Sequence, residues 1–159
     1  MEYVMKKLND TIRVTGIVNL HFFEFDNDFA TVGERQPLYE LVYVNSGKLQ
    51  IRSEDYSGEL RRRQMILHRP NTEHALFCGA EDATTVIIIG FECDGSVVDR
   101  FSHVPVELSD GEIKQLAEIV KEGRNVFKPP YNKPVYDMKR KNTSASARSK
   151  CSVFCWNPL

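Results

Sequence analysis

The feature of this sequence that most constrains its fold is a series of short apolar runs between residues 12 and 92. The runs are rich in Val, Ile, Phe and Tyr, and clusters of Asn, Asp, Ser, Gly and Pro separate them. Runs of this length bounded by turn-forming residues are typical of β-strands. Their spacing predicts an all-β sandwich or barrel. The predicted strands cover residues 12–25, 39–44, 48–52, 58–62, 65–68, 75–78 and 84–92.

The pattern of apolar residues changes after position 105. Ser109 and Glu112 enclose the sequence Ser-Asp-Gly-Glu, which is the order of a capping box, where each side chain bonds the other residue's backbone amide. Apolar residues at positions 113, 116, 117 and 120 then recur at helical spacing. The sequence therefore predicts an amphipathic helix of about three and a half turns that ends at Gly123. The segment KPPYNKP at 128–134 predicts an extended linker.

Length and charge limit the class of protein. The chain has 159 residues, of which 42% are hydrophobic, enough for one compact domain. Its 21 basic and 22 acidic residues leave a formal net charge of -1, which provides no overall attraction to nucleic acid or to an anionic membrane. The longest purely apolar run, residues 86–89, is far shorter than the ~18 residues of a membrane helix. The start, MEYVMKKLND, lacks the apolar stretch of a secretion signal, so a cytoplasmic protein is expected.

The four cysteines predict neither a disulfide framework nor a zinc module. They lie at positions 78, 93, 151 and 155, without paired CxxC motifs. Cys78 and Cys93 are expected to be reduced core thiols. Cys151 and Cys155 have the spacing of two zinc ligands, but no histidine follows position 103 to complete a site. No zinc site is therefore expected at the C-terminal end.

Glu40 interrupts one of the apolar predicted strands. A charged side chain buried in a strand is costly unless it is paired, bound to a metal or facing a wet cavity. The period of two places residues 38, 42 and 44 on the same face as Glu40 and residues 39, 41 and 43 on the other. That other face is also apolar, which predicts that the N-terminal segment or a partner sheet covers it.

Three stretches carry a resemblance to a known family. YELVYVNSGKLQIR at 39–52 is followed by RPNTEHALF at 69–77 and by ELSDGEIKQLAEIVKEGRNVF at 107–127. Together they resemble the ligand-binding and dimerisation half of AraC-type bacterial transcription regulators, over roughly residues 15 to 130. Glu40 stands seven positions before Gly47, as in the first cupin motif, and Asn71-Thr72 precedes His74 as in the family's PPNTPH segment.

The resemblance implies a mainly β, cupin-like barrel of the double-stranded β-helix or jelly-roll type, followed by one amphipathic helix. Residues 1–104 would form the effector-binding barrel and residues 105–124 the helix of the dimerisation region. Residues 125–159 would form a linker and a disordered tail. In this fold Glu40 looks into the barrel, Gly47 makes a hairpin turn, and His74 faces Glu40 across a hollow, half-wet interior. Residues 1–15 would be the lid over its mouth.

The resemblance also implies an effector pocket for a small polar metabolite, such as a sugar or a sugar acid. Arg35, Glu40 and His74 are its predicted residues, because a guanidinium near the interior can clamp a carboxylate, a phosphate or a hydroxyl group. Tyr43 and Arg52 are weaker candidates. The alternative for the same residues is structural: Arg35 and Glu40 would pair with each other, and His74 would be a core histidine.

Metal-dependent chemistry is not expected from the motif. In metal-binding cupins two histidines stand a few residues before the glutamate, whereas positions 33–36 here are Gly-Glu-Arg-Gln. Glu40 and His74 alone fall short of the three protein ligands of a catalytic metal site. No catalytic residue, metal or cofactor is therefore predicted.

Several positions depart from the family pattern. Arg63 and Gln64 replace Gly-Asp, Arg69 replaces the first proline of PPNT, and His68 stands where an aliphatic residue is usual. A differently shaped loop is expected there. The basic run at 61–63 is expected to be a solvated face. His21 could touch a ligand or be a half-buried surface group, and it is left out of the predicted site.

The last residues suggest a shifted reading frame. Family members continue into a long dimer helix and then into two helix-turn-helix motifs. Residues 144–159, read two nucleotides forward, permit the family's Phe-Gly-Ala-Glu-Gln, and Leu-Leu-Glu follows without codon choice. The hypothesis is that the frame slips near residues 139–143, and the alternative is an ordinary disordered tail. DNA would then be contacted only through a domain absent from this chain.

The sequence as a whole predicts a non-enzymatic, effector-binding and dimerisation domain of an AraC-type regulator, forming a homodimer. Two alternatives remain. One is a small cupin enzyme, an isomerase or a dioxygenase, with Glu40 and His74 as its acid and base. The other is a purely structural dimerisation fragment.

Overall fold

The computed structural model describes residues 12–79, 83–94, 97–134 and 138–141. Within these residues the chain forms eight strands, a short 3-10 helix at Val98–Phe101 and one α-helix. The elements are β1 (Arg13–Phe25), β2 (Tyr39–Ser46), β3 (Lys48–Ser53), β4 (Ser57–Arg61), β5 (Gln64–His68), β6 (His74–Cys78), β7 (Thr84–Asp94), β8 (Val106–Glu107) and α1 (Asp110–Val126). The seven predicted strands are confirmed with small shifts of their ends. The two-residue β8 was not predicted, because it is too short to show a pattern.

The strands form two antiparallel sheets. One sheet has the order β1-β7-β2-β5-β8 and the other the order β4-β3-β6. Consecutive strands β2 and β3 therefore belong to different sheets, since β2 pairs with β5 and β7 while β3 pairs with β4 and β6. The prediction that Gly47 makes a hairpin turn is wrong. Gly47, with a φ of 78°, instead turns the chain from one sheet into the other.

An aliphatic core fills the space between the two sheets. The register places Val42 opposite both Ile66 and Ile88, and Val44 opposite Val86. Alternate residues of each strand point inward, so these side chains pack against the inward residues of β3, Leu49 and Ile51. The buried core residues are Phe25, Val42, Val44, Leu49, Ile51, Leu60, Ile66, Leu76, Val86 and Ile88. This part of the interior, which was expected to be hollow and half-wet, is packed with apolar side chains.

Helix α1 covers the outer face of the larger sheet. Tyr43 and Ile87 on that face lie in one buried cluster with Leu116 and Val120 of the helix. The expectation that the N-terminal segment or a partner sheet covers this face is therefore wrong. The apolar face of α1 covers the sheet instead, because packing two apolar surfaces together removes both from water.

The ends of α1 show what local sequence can and cannot predict. The capping box at its start is confirmed: the Glu112 amide donates to the Ser109 hydroxyl, and the Ser109 amide donates to the Glu112 carboxylate at 2.7 Å. The helix does not end at Gly123 but continues to Val126. Gly123 is needed instead for close packing, since a Cβ there would lie 2.8 Å from Leu20 Cδ1.

We expect two glycines of α1 to respond oppositely to replacement by alanine. At Gly111 a Cβ would meet only the Ser109 hydroxyl at 3.9 Å, so Gly111→Ala should raise the free energy of unfolding by about 0.5–1 kcal/mol through helix propensity. At Gly123 the same gain is outweighed by overpacking against the buried Leu20, giving a net loss of about 1 kcal/mol. Urea unfolding of both variants checks this, and equal gains at the two positions would contradict the close contact.

The residues after α1 return to the barrel. The backbone amide of Phe22 donates to the Tyr131 carbonyl at 2.9 Å, and that of Lys128 to the Lys139 carbonyl at 2.8 Å. Met138 is buried in the cluster beneath α1. The described part of the predicted linker is thus held against β1 and the helix by hydrogen bonds. It contains no helix, as predicted.

Some predictions fall outside the described residues. The tail at 142–159, with Cys151, Cys155 and the hypothesis of a shifted frame, lies outside them, as does most of the predicted lid at 1–11. Residues 13–15 of that lid belong to β1. Cys78 and Cys93 are free thiols but only half-buried, and this burial raises the pKa of both. In the described part of the chain, no helix has the length and apolarity needed to cross a bilayer.

Candidate functional site

The interior changes from aliphatic to polar at one end of the barrel. One row beyond Val42, the register aligns Asn19, Gly90, Glu40 and His68 across β1, β7, β2 and β5. His74 from β6 and His103 from the loop after the 3-10 helix approach the same end. We call the following residues the histidine cluster: Glu40, His68, His74 and His103.

Glu40 and His74 form a buried pair. His74 Nε2 lies 3.0 Å from Glu40 Oε1, and its Nδ1 lies 3.0 Å from the Thr72 carbonyl oxygen. Both side chains are about 5% exposed. A carbonyl and an ionised carboxylate can only accept, so both ring nitrogens must carry a proton for the two bonds to form, and His74 is then a charged imidazolium. Burial alone lowers the pKa of His74, but the hydrogen bond and charge of Glu40, with the Thr72 carbonyl, raise it above 6.5.

His68 is the least expected member of the cluster. It lies opposite Glu40 in the register and has no exposed surface. Its ring stacks on that of His74 with centroids 4.2 Å apart and an angle of 3°. Neither ring nitrogen has a hydrogen-bond partner among the described residues. Burial, followed by the charges of His74 and His103, lowers the pKa of His68 to about 3, so the imidazole is neutral and keeps one free donor and one free acceptor.

His103 connects the cluster to the surface. Its ring meets that of His68 edge-on, with centroids 6.1 Å apart. Its Nε2 accepts a hydrogen bond of 2.8 Å from Arg69 Nε, and Arg69 in turn donates to Asp55 at 2.7 Å. Burial and then the Arg69 charge lower the pKa of His103. Through Arg69, the histidine cluster is thus connected to the half-exposed carboxylate of Asp55.

His21 is a buried residue of β1 and not a half-buried surface group. It is 4% exposed, and its ring stacks on Phe23 with centroids 4.9 Å apart. Burial lowers the pKa of His21, while a hydrogen bond to the Tyr131 backbone and the charge of Glu40 oppose that shift. Its burial and its electrostatic interaction with Glu40 make His21 a further candidate for the site.

Arg35, Tyr43 and Arg52 do not join the cluster. Arg35 is exposed and donates to the Asn71 carbonyl at 2.8 Å, to Glu73 at 3.2 Å and to Glu54. It therefore neither lines an interior pocket nor pairs with Glu40. The physical reason is that two surface carboxylates lie within its reach, and an exposed ion pair avoids the cost of burying the guanidinium.

Tyr43 and Arg52 are directed away from the cluster by strand alternation. Tyr43 is an odd-numbered residue of β2, so it lies on the opposite face of the sheet from Glu40, buried under α1. Burial raises its pKa. Arg52 is exposed next to the inward Ile51, and its guanidinium lies 5.4 Å from the Phe77 ring centroid.

The donor set does not fit a metal ion. No group of three or more His, Cys, Asp or Glu side chains in the described ranges is arranged to hold one. The stacking explains this for His68 and His74, because the lone pairs of imidazole nitrogens lie in the ring plane and two parallel planes do not converge on one ion. His103 Nε2 is already bonded to Arg69.

We expect His68 to make the protein sensitive to acid. Its folded pKa of about 3 lies below its ordinary 6.5, so the unfolded chain binds more protons between these values and stability falls as the pH falls below 6.5. The loss is at most ~1.4 kcal/mol per pH unit for one proton. In His68→Leu the free energy of unfolding should decline less between pH 6.5 and 5, as measured by urea titrations. An equally steep decline in the variant would assign the acid sensitivity to other groups.

Comparison with solved structures shows a likeness in fold. ToxT from Vibrio cholerae bound to (E)-4-(8-methylnaphthalen-1-yl)but-3-enoic acid has a TM-score of 0.52 and 12% identity, and the match covers 72% of this chain and 49% of that one. An apo ToxT variant from the same organism has a TM-score of 0.52 and 11% identity, with coverage of 94% and 54%. The present chain therefore spans about half the length of these ToxT chains.

A cupin family protein with a double-stranded β-helix fold, from Methanocaldococcus jannaschii, has a TM-score of 0.44 and 12% identity, with coverage of 58% and 90%. No protein-family model and no curated protein matches the sequence. At these identities the likeness concerns the fold alone. Within its described residues the chain is mainly β, with a cupin-like barrel and one α-helix after the sheets, as predicted.

Proposed function

We propose that this chain is a small-molecule sensing domain of an AraC-type transcription regulator, and that its effector binds at the histidine cluster. The single observation that carries the proposal is His68, a fully buried imidazole whose two ring nitrogens have no hydrogen-bond partner among the residues that the structure describes. A buried polar group left without a hydrogen bond costs on the order of 1–3 kcal/mol. Such a group is explained if a bound molecule supplies the missing bonds.

The surroundings of His68 favour a ligand with hydroxyl groups. Because the ring is neutral, it offers one donor and one acceptor, and a hydroxyl group can satisfy either. The Glu40 carboxylate lies 3.0 Å from the His74 ring. It can accept a further hydrogen bond from a ligand hydroxyl group, since a carboxylate has several acceptor positions. A molecule with several hydroxyl groups, such as a sugar, could therefore complete the cluster.

The charges around the cluster favour an uncharged ligand over an acid. Glu40 is already balanced by His74, Arg69 is paired with Asp55, and Arg35 is paired with Glu54 and Glu73 on the surface. An added carboxylate would approach Glu40 without gaining any of these cations. One ToxT structure contains a carboxylic acid with a large apolar body, so acids of that class are the rival ligands to be tested.

We further propose that the domain is not an enzyme and that it acts by shifting a conformational equilibrium. A ligand can shift such an equilibrium only by its difference in affinity for the two states. Homodimer formation through the region of α1 is supported by the family resemblance alone. Glu40 and His74 as an acid and base pair support the rival proposal of a cupin enzyme.

A thermal-shift screen tests the sensing proposal. We expect an uncharged sugar or polyol to raise the melting temperature of the parent protein, with ~2.7 kcal/mol of stabilisation at 100 times its Kd. Sugar acids and long-chain carboxylic acids form the comparison panels. Arg35→Ala is the matched control, because this residue lies on the surface, and it should respond like the parent. His68→Leu should not respond.

Each other outcome of the screen has a defined meaning. A ligand that stabilises His68→Leu as strongly as the parent would place the site elsewhere in the molecule. A response to carboxylic acids alone would overturn the preference for an uncharged ligand. If no compound stabilises the parent and the purified protein carries stoichiometric iron, manganese or zinc, the enzyme proposal replaces the sensing proposal.

A further inference from the structure

One short segment packs against the polar end of the barrel through His103. Residues 97–105 include the 3-10 helix and carry three buried side chains, those of Val98, Ser102 and His103. We call these residues the 97–105 segment. Because its His103 ring lies edge-on to the buried His68 ring, the segment is in direct contact with the histidine cluster.

Polar contacts join this segment to the barrel. The His103 amide donates to the Leu67 carbonyl at 2.9 Å, and the Tyr39 hydroxyl donates to Asp99 at 2.7 Å. The third contact joins Arg69 Nε to His103 Nε2 at 2.8 Å. His103 has a φ of 62°, a conformation that is unfavourable for a residue with a side chain. A segment that contains a residue in a strained conformation is a candidate for local opening.

The bond between Arg69 and His103 exists in only one protonation state. A guanidinium has no acceptor, so His103 Nε2 must accept and the ring must be neutral, with its proton on Nδ1. A second proton, placed on Nε2, would remove the acceptor and set two cations 2.8 Å apart. The Asp55 carboxylate lies 3.5 Å from the same nitrogen and also binds Arg69, so it offsets part of this repulsion without restoring the bond between Arg69 and His103.

We propose that Arg69, His103 and Asp55 form a proton-operated latch, which holds the 97–105 segment closed while His103 is neutral and releases it when His103 gains a proton. The latch would control access to the site proposed above, and its role in sensing rests on that proposed function. Its opening can be measured without any ligand.

The charged groups around His103 set the direction of the pH response. Burial and then Arg69 lower its pKa below 6.5, as does His74 more weakly, whereas Asp55 and Asp99 oppose this shift. His68, which faces His103 edge-on, stays neutral. Release is therefore expected on acidification below pH 6.5, with the segment closed at neutral and alkaline pH.

Hydrogen exchange of the full chain, read by mass spectrometry at pH 7.5 and pH 5.5 and corrected for intrinsic exchange rates, tests the latch. We expect amide protection in the 97–105 segment to fall about 10-fold at the lower pH, in line with the loss of one charge-assisted bond. Peptides from β2 and β7 should keep their protection. In His103→Gln the side-chain oxygen can still accept from Arg69 but does not titrate, so the segment should stay protected at both pH values.

A second variant keeps the test decisive if glutamine fits poorly. His103→Leu cannot accept from Arg69, and its segment should be unprotected at both pH values. The latch is refuted if protection in the parent does not change with pH, or if His103→Gln loses protection on acidification as the parent does. Because no ligand is present, a failed ligand screen would overturn only the sensing proposal, and a failed exchange experiment would overturn only the latch.

Discussion

Replacing Glu40 with alanine is expected to lower the free energy of unfolding by about 3 kcal/mol at pH 6, near the lower end of the range for breaking a buried ion pair. The carboxylate is buried and lies 3.0 Å from His74 Nε2, so its removal leaves a buried imidazole nitrogen without its partner. The loss stays near the lower end because His74, unlike a buried arginine, can release its proton. Urea unfolding followed by circular dichroism provides the measurement.

The pH dependence of this effect identifies the ion pair as its cause. The folded pKa of His74 is raised above 6.5, so the stabilisation is fully present below pH 6.5 and is lost as the pH rises through the folded pKa. The difference between parent and Glu40→Ala should therefore be larger at pH 6 than at pH 9. Glu40→Leu combined with His74→Leu should recover much of the loss, because two apolar side chains leave no unpaired group. A difference that is the same at both pH values would show that packing, not charge, is responsible.

Replacing Gly47 with alanine is expected to cost about 2–4 kcal/mol, from backbone strain and overpacking together. Its φ of 78° is unfavourable for any residue with a Cβ, and that atom would lie 2.7 Å from Thr84 Oγ1 and 2.9 Å from the Ala83 carbonyl oxygen. Backbone atoms of the neighbouring loop cannot turn aside as a flexible side chain can. The strain would therefore fall on the turn that connects β2 in one sheet to β3 in the other.

Gly79→Ala is the matched control for Gly47→Ala. Gly79 is exposed, and a Cβ there would meet no atom within 4 Å, so its stability should change by no more than about 0.5 kcal/mol. Thermal unfolding of the two variants under the same conditions makes the comparison. A small, equal effect at both positions would mean that the turn between the sheets tolerates a side chain.

Local sequence predicted the elements of this fold well because their signals depend on neighbours in the chain. The strands follow from period-two alternation, and Val42 and Val44 point inward with Glu40 as that period requires. The start of α1 follows from the capping box of Ser109 and Glu112, which is complete within four residues. Glu40 and His74 could be paired because a family motif assigns both of them to the barrel interior.

The errors concern residues whose partners are distant in the chain. Arg35 was assigned to a pocket, but its carboxylate partners are residues 54 and 73. Gly123 was taken as a helix end, but its close neighbour is Leu20. His68 stands where the family pattern has an aliphatic residue, and His103 lies in no motif. Nothing in the linear order indicates that these two rings lie edge-on to each other.

Three properties of this chain could be predicted from the sequence: the alternation in short strands, the capped helix that follows them, and the common face of Glu40, Val42 and Val44. These properties arise from the period of the backbone and from contacts within a few residues, so they can be read without the fold. The folded structure was needed to show which sheet each strand joins, what covers the outer face, and which histidines gather at the polar end. Such features depend on the register between strands far apart in sequence, and a shift of one residue would reverse which side chains meet.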